Sequence, residues 1–237
     1  MSDRFAEARH DVWVHARKMW EAGLVVASAG NVSRRIDDAH IAITPTSVPY
    51  EQMTAEQVAV VNLASGRAIE SSHSPSYELP MHLGVYRARL DIEAIVHTHA
   101  PFVTTLSILR RPLPPVMDEM MLYFGGTVEV TEYAVSGTDA VGRNVVRALG
   151  DRTAVILANH GNVCVGPTLE QALHVAITME SVARVYVQAL QIGEPVVLPK
   201  DAVDAGRKLF EQRKGDAELG VRSSEFANPE PRTPKRR

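Results

Sequence analysis

The chain has almost no cysteine: Cys164 is the single one among 237 residues. One cysteine cannot form an internal disulfide bond. Cys164 lies in the apolar run 162–166, which favours a small buried side chain over a catalytic nucleophile. Any metal chemistry of this protein is therefore expected to depend on histidines and carboxylates.

Long apolar runs, excess basic charge and glycine-rich phosphate loops are also missing. No stretch approaches the ~18 apolar residues of a membrane helix, and the acidic start, residues 1–7, lacks a signal-peptide pattern, so we expect a cytoplasmic protein. The net charge of −3, without interleaved basic and aromatic residues, predicts no nucleic-acid partner. The absence of Gly-x-Gly-x-x-Gly and Gly-Lys-Ser/Thr motifs argues against dinucleotide and P-loop chemistry.

What is present is a mixture of strand and helix patterns. The hydrophobic content of 45% suffices for a packed core. We expect one α/β domain over residues 1–222, with helices on both faces of a sheet that is not purely parallel, and a flexible Pro- and Arg-rich tail over residues 223–237. The periodicity predicts helices over 5–23, 78–89, 102–110, 139–149 and 169–191, and strands over 30–36, 40–44, 58–61, 94–100, 128–130, 153–158 and 162–165.

Two histidines stand at the end of a predicted buried strand. Because side chains alternate along a strand, His97 and His99 project from the same face while Thr98 points away. His160 follows another apolar strand, just before a glycine. Three histidines and a carboxylate would satisfy a zinc-like divalent ion. A hydrogen-bonded histidine pair without metal is the alternative interpretation of this pattern.

Four short segments then occur in a fixed order: residues 29–33, residues 43–50, residues 75–78 with the His-Thr-His triplet, and residues 159–161. Together they resemble the class II aldolase/adducin family, in particular its L-fuculose-phosphate aldolase-like branch. The resemblance covers residues 5–190. It implies a three-layer α/β/α sandwich around a mixed, largely antiparallel sheet, and a homotetramer with active sites at subunit interfaces.

The resemblance also implies a metal centre. His97, His99 and His160 match zinc ligands, and Glu78 matches a carboxylate that both binds the metal and acts as acid and base. The implied cofactor is one divalent ion per subunit, Zn²⁺ first and Mn²⁺ or another ion as the alternative. Without the histidines, Glu78 would be read as a helix-terminal glutamate that complements the helix dipole.

Other matched positions imply a substrate site. Gly30, Asn31, Thr46, Ser47 and Ser76 match residues that hold a substrate phosphate, and they offer neutral hydrogen-bond donors and close backbone approach. Ordinary turn and cap chemistry is the alternative for each.

The sequence departs from the pattern of the branch at three positions. Tyr77 stands where a second phosphate-binding serine is usual, and Ser47 where glycine is usual. Asp118 replaces a catalytic tyrosine, and with Glu119 it is either a proton relay or a solvated acidic pair. His82, one helical turn after Glu78, is expected to be a buried hydrogen-bonding group rather than a fourth histidine ligand.

These matches predict a metal-dependent carbon–carbon lyase that cleaves a sugar phosphate or related hydroxyketone through a metal-stabilised enediolate. A decarboxylase of the same fold is the alternative. A pentulose-phosphate epimerase is less favoured, since the epimerases resembling this chain have aspartate at the position of Glu78. A non-enzymatic adducin-like interaction module has no use for three histidines and a carboxylate.

Overall fold

A computed structural model of the chain describes residues 4–218. Within these residues, seven strands form one sheet in the order β4-β3-β2-β1-β5-β7-β6. Every neighbouring pair of these strands is antiparallel, and the one parallel contact among residues 4–218 is an isolated bridge between Val130 and Ile156. The strands are β1 (Asn31–Asp37), β2 (His40–Ile43), β3 (Ala59–Asn62), β4 (Ala68–Glu70), β5 (Ala94–Thr98), β6 (Ala154–Ile156) and β7 (Asn162–Gly166).

Helices cover both faces of this sheet. The α-helices in the described part of the chain are α1 (Ala6–Glu21), α2 (Leu79–Ala88), α3 (Pro101–Ile108), α4 (Asp118–Tyr123), α5 (Asp139–Leu149), α6 (Leu169–Ile192) and α7 (Lys200–Glu218). Alternation along β5 sends Val96 into one core with α1, α3 and α6, and sends Ile95 into a second core with α2 and α5. The predicted three-layer α/β/α sandwich is therefore confirmed. No helix among residues 4–218 is long and apolar enough to cross a membrane.

One predicted strand was wrong, and three of the strands and α-helices among residues 4–218 were not predicted. Residues 128–130 form two isolated bridges, Val128 to Leu113 and Val130 to Ile156, so alternate residues pair with different segments and no ladder develops. The unpredicted elements are β4, α4 and α7. Helix α7 is largely polar and is anchored by Phe210, of which 5% is exposed. The predicted tail, residues 223–237, lies outside the described residues.

Candidate active site

The order of the strands brings the predicted site residues to one edge of the sheet. Strand β1 lies beside β5, with Asn31 opposite His97. Strand β7 lies on the other side of β5, with Asn162 opposite Thr98. The start of β1, the end of β5 and the β6–β7 turn that carries His160 therefore meet at the same place.

Two glycines allow this close approach. Gly30 has a φ of +72°, and a Cβ atom there would lie 2.6 Å from the carbonyl oxygen of His97. A Cβ atom on Gly161 would lie 2.1 Å from the carbonyl oxygen of Thr98. Both positions therefore require glycine, because a side chain would push the loops that carry Asn31 and His160 away from β5.

The three histidines converge on one point. Their ring centroids are 4.7–4.9 Å apart, and one nitrogen from each ring and one oxygen of Glu78 lie within 4.8 Å of one another. His97 Nδ1 is 2.8 Å from the carbonyl oxygen of Asn162. Because that oxygen accepts a hydrogen bond, Nδ1 carries a proton, and Nε2 is the ring nitrogen of His97 that faces the cluster.

The spacing of these atoms fits a bound cation. His97 Nε2 lies 3.1 Å from His99 Nε2 and 2.9 Å from Glu78 Oε2, and His160 Nε2 lies 3.4 Å from Glu78 Oε1. Two donors that each sit about 2.1 Å from a tetrahedrally bound ion are about 3.4 Å apart. The observed separations of 2.9–3.4 Å are close to, or somewhat shorter than, this distance, and three imidazoles with a carboxylate are a donor set for a divalent metal.

Glu78 links the histidines to the rest of the site. It is the N-cap residue of α2, but its side chain makes no capping hydrogen bond. Its carboxylate instead accepts hydrogen bonds from the Asn31 amide at Oε2, 2.9 Å, and from the Ser136 hydroxyl at Oε1, 2.8 Å. Burial alone would raise the pKa of Glu78, but His97, His160 and the Ser136 hydrogen bond outweigh it and lower that pKa. Glu78 is therefore an ionised, oriented carboxylate.

The histidines differ in the direction of their pKa shifts. Burial, and then the proximity of His97, lowers the pKa of His99 to about 3 and that of His160 to about 4. Burial opposes the charged form of His97 too, but Glu78 and the Asn162 carbonyl raise its pKa. At neutral pH, His99 and His160 are therefore neutral imidazoles, which is the form that binds metals.

A cleft of about 220 Å³ opens beside this cluster. None of the described residues that line it is a lysine or an arginine, so an anionic group there would meet hydroxyls and backbone N–H groups instead. Ser47 has a φ of +58°, a conformation that favours glycine. The lining residues are Ser28, Ala29, Gly30, Asn31, Pro45, Thr46, Ser47, Ser76, Tyr77, Glu78, His99, Ser136 and His160.

The structure thus brings together all six predicted substrate-binding residues and the predicted metal ligands. It also adds Ser28 and Ser136, which sequence reasoning missed. Ser28 directly precedes a recognised segment and could have been found from that position. Ser136 lies in a loop without any motif, and nothing in the sequence marks it.

Two predicted residues lie apart from the metal cluster. Tyr77 is 63% exposed and donates a hydrogen bond to the Ser136 carbonyl at 2.5 Å, so its ring lies at the rim of the cleft. Asp118 begins α4 on the surface and is not among the residues that line the cleft of its own chain. Its catalytic role stays a prediction.

His82 is fully buried, as expected of a hydrogen-bonding group. Its Nδ1 is 2.6 Å from the Ser33 hydroxyl, and its Nε2 contacts the Asn31 amide oxygen. Both polar groups of the Asn31 side chain are thus engaged by protein groups, the oxygen by His82 and the nitrogen by Glu78.

Comparisons with known proteins agree with this geometry. A family model described as "Class II Aldolase and Adducin N-terminal domain" matches residues 10–187. A 5-deoxy-D-ribulose 1-phosphate aldolase from Bacillus thuringiensis serovar kurstaki is 36% identical over 204 residues, which cover 86% of this chain and 95% of the relative. The L-fuculose phosphate aldolase of Escherichia coli strain K12 is 35% identical over 184 residues, covering 78% and 84% of the two chains.

A solved structure of an L-fuculose 1-phosphate aldolase is similar over most of its length. It superposes with a TM-score of 0.82 at 32% sequence identity and covers 89% of this chain and 98% of its own. The residues that the family model matches include the whole cluster of Glu78, His97, His99 and His160. The chain belongs to the class II aldolase and adducin family, as its motifs predicted.

Proposed function

We propose that this protein is a metal-dependent aldolase that cleaves a ketose 1-phosphate into dihydroxyacetone phosphate and an aldehyde. One observation carries the proposal: Glu78 and three histidine nitrogens converge at the end of a cleft lined by neutral hydrogen-bond donors. The relatives named for 5-deoxyribulose and fuculose phosphates support a phosphorylated substrate. A purely structural module of this fold would not need such a cluster.

We propose Zn²⁺ as the resident ion, held by His97, His99, His160 and Glu78, with Mn²⁺ as the alternative. The neutral forms of His99 and His160 and the proton on Nδ1 of His97 support this ligand set. When bound, a divalent ion would act as a Lewis acid that stabilises negative charge on the substrate oxygens.

Glu78 moves the proton in this proposal. Its Oε2 is held by Asn31 and by the fully buried His97, which does not line the cleft, whereas both partners of Oε1, Ser136 and His160, do. Oε1 therefore faces the substrate and is the atom that accepts and returns a proton. Ser136 orients this oxygen.

Neutral groups bind the phosphate. Thr46, Ser47 and Ser76 supply hydroxyl groups at one end of the cleft, while the glycine at position 30 leaves room for backbone contact. Helix α2 also begins there, and the helix dipole at its N-terminus favours an anion. Tyr77 at the rim limits the length of the substrate on that side.

We further propose a homotetramer in the cytoplasm, with active sites completed at subunit interfaces. Tyr133 and Val135, which shortly precede the cleft residue Ser136 in the chain, are 57% and 62% exposed, and exposed apolar side chains of this kind support a subunit interface near the cleft. Because Asp118 does not line the cleft of its own chain, a role as proton relay requires a neighbouring subunit to supply it. Unchanged turnover in Asp118→Asn would show that Asp118 is a solvated acidic side chain and not a proton relay.

The proposed reaction is tested by product analysis. Protein loaded with Zn²⁺ or Mn²⁺ is incubated with ketose 1-phosphates, the same ketoses without phosphate, and keto acids. We expect dihydroxyacetone phosphate and an aldehyde from the phosphorylated ketoses only. Release of carbon dioxide from a keto acid without any aldol cleavage would identify a decarboxylase and reject the aldolase proposal.

A further inference from the structure

A chain of buried polar side chains runs away from Glu78 into the core. The Asn31 amide nitrogen contacts Glu78 Oε2 at 2.9 Å, and the Asn31 oxygen contacts His82 Nε2. His82 Nδ1 lies 2.6 Å from the Ser33 hydroxyl, which lies 2.9 Å from the Tyr86 hydroxyl. Ser33, His82 and Tyr86 are fully buried. We call these four side chains, Asn31, His82, Ser33 and Tyr86, the relay chain.

The direction of every hydrogen bond in the relay chain follows from Glu78. An ionised carboxylate only accepts, so the NH₂ group of Asn31 faces it and the Asn31 oxygen faces His82. That oxygen also only accepts, so His82 carries its proton on Nε2. His82 Nδ1 is then an acceptor and takes the Ser33 hydroxyl proton. Ser33 in turn accepts from Tyr86.

The electrostatics of the buried groups agree with this direction. Burial, and then the proximity of His97, lowers the pKa of His82 to about 3, so the ring is neutral. Burial raises the pKa of Tyr86, so the phenol keeps the proton that it donates. All donors therefore point toward Glu78, and none of the four groups needs a charge of its own.

We propose that His82 is a positioning residue, which acts through Asn31 to hold the Glu78 carboxylate in its reactive orientation. The Asn31 amide has two orientations, and one of them turns its oxygen toward the carboxylate. The Nε2 proton of His82 requires an acceptor, so it stabilises the other orientation, which the charge of Glu78 also favours. The histidine neither binds metal nor touches substrate; it helps to hold the Asn31 nitrogen, rather than the oxygen, against Glu78. The kinetic consequence rests on the proposed aldolase function, but the tautomer of His82 does not.

A matched pair of variants separates positioning from packing. In His82→Gln, the new side chain can place an N–H group where His82 Nε2 lies. In His82→Met, the side chain has a similar length but no hydrogen-bond donor. In metal-loaded protein, we expect kcat of H82M to fall about tenfold to a hundredfold with KM nearly unchanged. We expect H82Q to keep most of its turnover, and both variants to keep their metal.

A packing role would give a different result. It predicts similar losses of melting temperature in both variants and the same kcat per metal-loaded, folded protein. Equal kcat in H82M, H82Q and the parent protein would overturn the proposal. If H82M does not fold, Ser33→Ala replaces it: loss of the donor to Nδ1 should lower kcat, with Tyr86→Phe at the far end giving a smaller effect.

Nitrogen-15 NMR of the histidine rings tests the relay chain without any assay of activity. We expect His82 to be neutral with its proton on Nε2 at pH 7, both with and without added Zn²⁺. A proton on Nδ1, or an imidazolium ring, would contradict the direction of the relay chain. If the NMR spectra show the expected tautomer but the protein cleaves no ketose phosphate, the proposed function is rejected and the hydrogen-bond directions of the relay chain are still supported.

Discussion

At the scale of the residue, the contacts of the Glu78 side chain decide between a structural and a functional role. A glutamate at a helix N-terminus usually complements the helix dipole or caps the backbone, a contribution of about 0.3–1 kcal/mol. Glu78 makes no capping hydrogen bond and instead contacts Asn31, Ser136 and two histidines. These contacts favour a functional role over a structural one.

The histidine cluster makes a prediction about metal content. Alanine at position 97, 99 or 160 removes one of three converging nitrogen donors, so each variant should lose most of its divalent metal. His174→Ala is the control, because His174 packs on Tyr123 and belongs to α6 outside the cluster. Elemental analysis after dialysis measures the result. Full occupancy in all three variants would show that these histidines are not the ligands.

His82 makes a prediction about pH and stability. Its pKa is lowered to about 3 in the folded protein, against about 6.5 in an unfolded chain. Between these values the unfolded state binds the proton and the folded state does not. The free energy of unfolding therefore falls as pH falls below about 6.5, by about 1.4 kcal/mol per pH unit from this group.

Urea unfolding of the parent protein and of His82→Gln between pH 7 and pH 4.5 isolates this effect. Glutamine does not titrate, so the stability of the parent relative to the variant should decrease steadily toward low pH. A difference that stays constant with pH would show that His82 binds its proton equally in both states.

At the scale of the element, the β6–β7 turn holds His160 in place. Asn159 has a φ of +56°, and the His160 N–H donates a hydrogen bond to the Ser107 hydroxyl at 2.7 Å. Gly161 lies directly against the carbonyl of Thr98. The turn can therefore adopt only a narrow range of positions relative to β5.

Replacing Gly161 by Ala should displace this turn. The new Cβ atom would lie 2.1 Å from the Thr98 oxygen, so we expect a loss of about 2–3 kcal/mol and a lower metal content. Gly215→Ala is the matched control, since nothing lies within 4 Å of its Cβ position in α7, and it should gain about 0.5–1 kcal/mol. Equal melting temperatures and metal contents in the two variants would contradict this account of the turn.

Element patterns also explain how much the sequence could predict. Helix α5 was predicted at its observed bounds because its apolar residues repeat regularly and its ends carry Thr138 and Gly150. The predicted strand 128–130 was wrong because periodicity cannot show that alternate residues pair with different segments.

Helix α7 was not predicted because it is largely polar and has few apolar residues. Its anchor, Phe210, is buried by contacts with distant parts of the chain, which a sequence pattern does not show. Ser136 was missed because the fold, not a motif, brings it to Glu78.

At the scale of the whole molecule, several exposed apolar side chains are close in the chain to residues of the site. Tyr133 and Val135 shortly precede Ser136, which lines the cleft, and Ile108 and Leu109, 58% and 63% exposed, directly follow Ser107, which contacts the His160 N–H. Exposed large apolar side chains favour an interaction site where they lie together. In the proposed tetramer, a second copy of the chain would cover these side chains.

Light scattering at micromolar concentration tests this assembly. We expect the mass of a homotetramer, about four times 25.9 kDa, because closed symmetric assemblies are the common outcome for soluble oligomers. Tyr133→Ser with Val135→Ser should weaken the assembly if this surface is the interface. A monomeric parent protein would reject the tetramer and the shared active site.

The most direct test of the central claim is the turnover of Glu78→Gln, measured with its metal content. Glutamine keeps the size and one oxygen donor but cannot accept the proton, so kcat for cleavage of a ketose 1-phosphate should fall about a hundredfold or more. The three histidines should still hold the divalent ion, and substrate binding should be largely spared. Unchanged turnover with a lowered melting temperature would remove Glu78 from the chemistry and contradict the account.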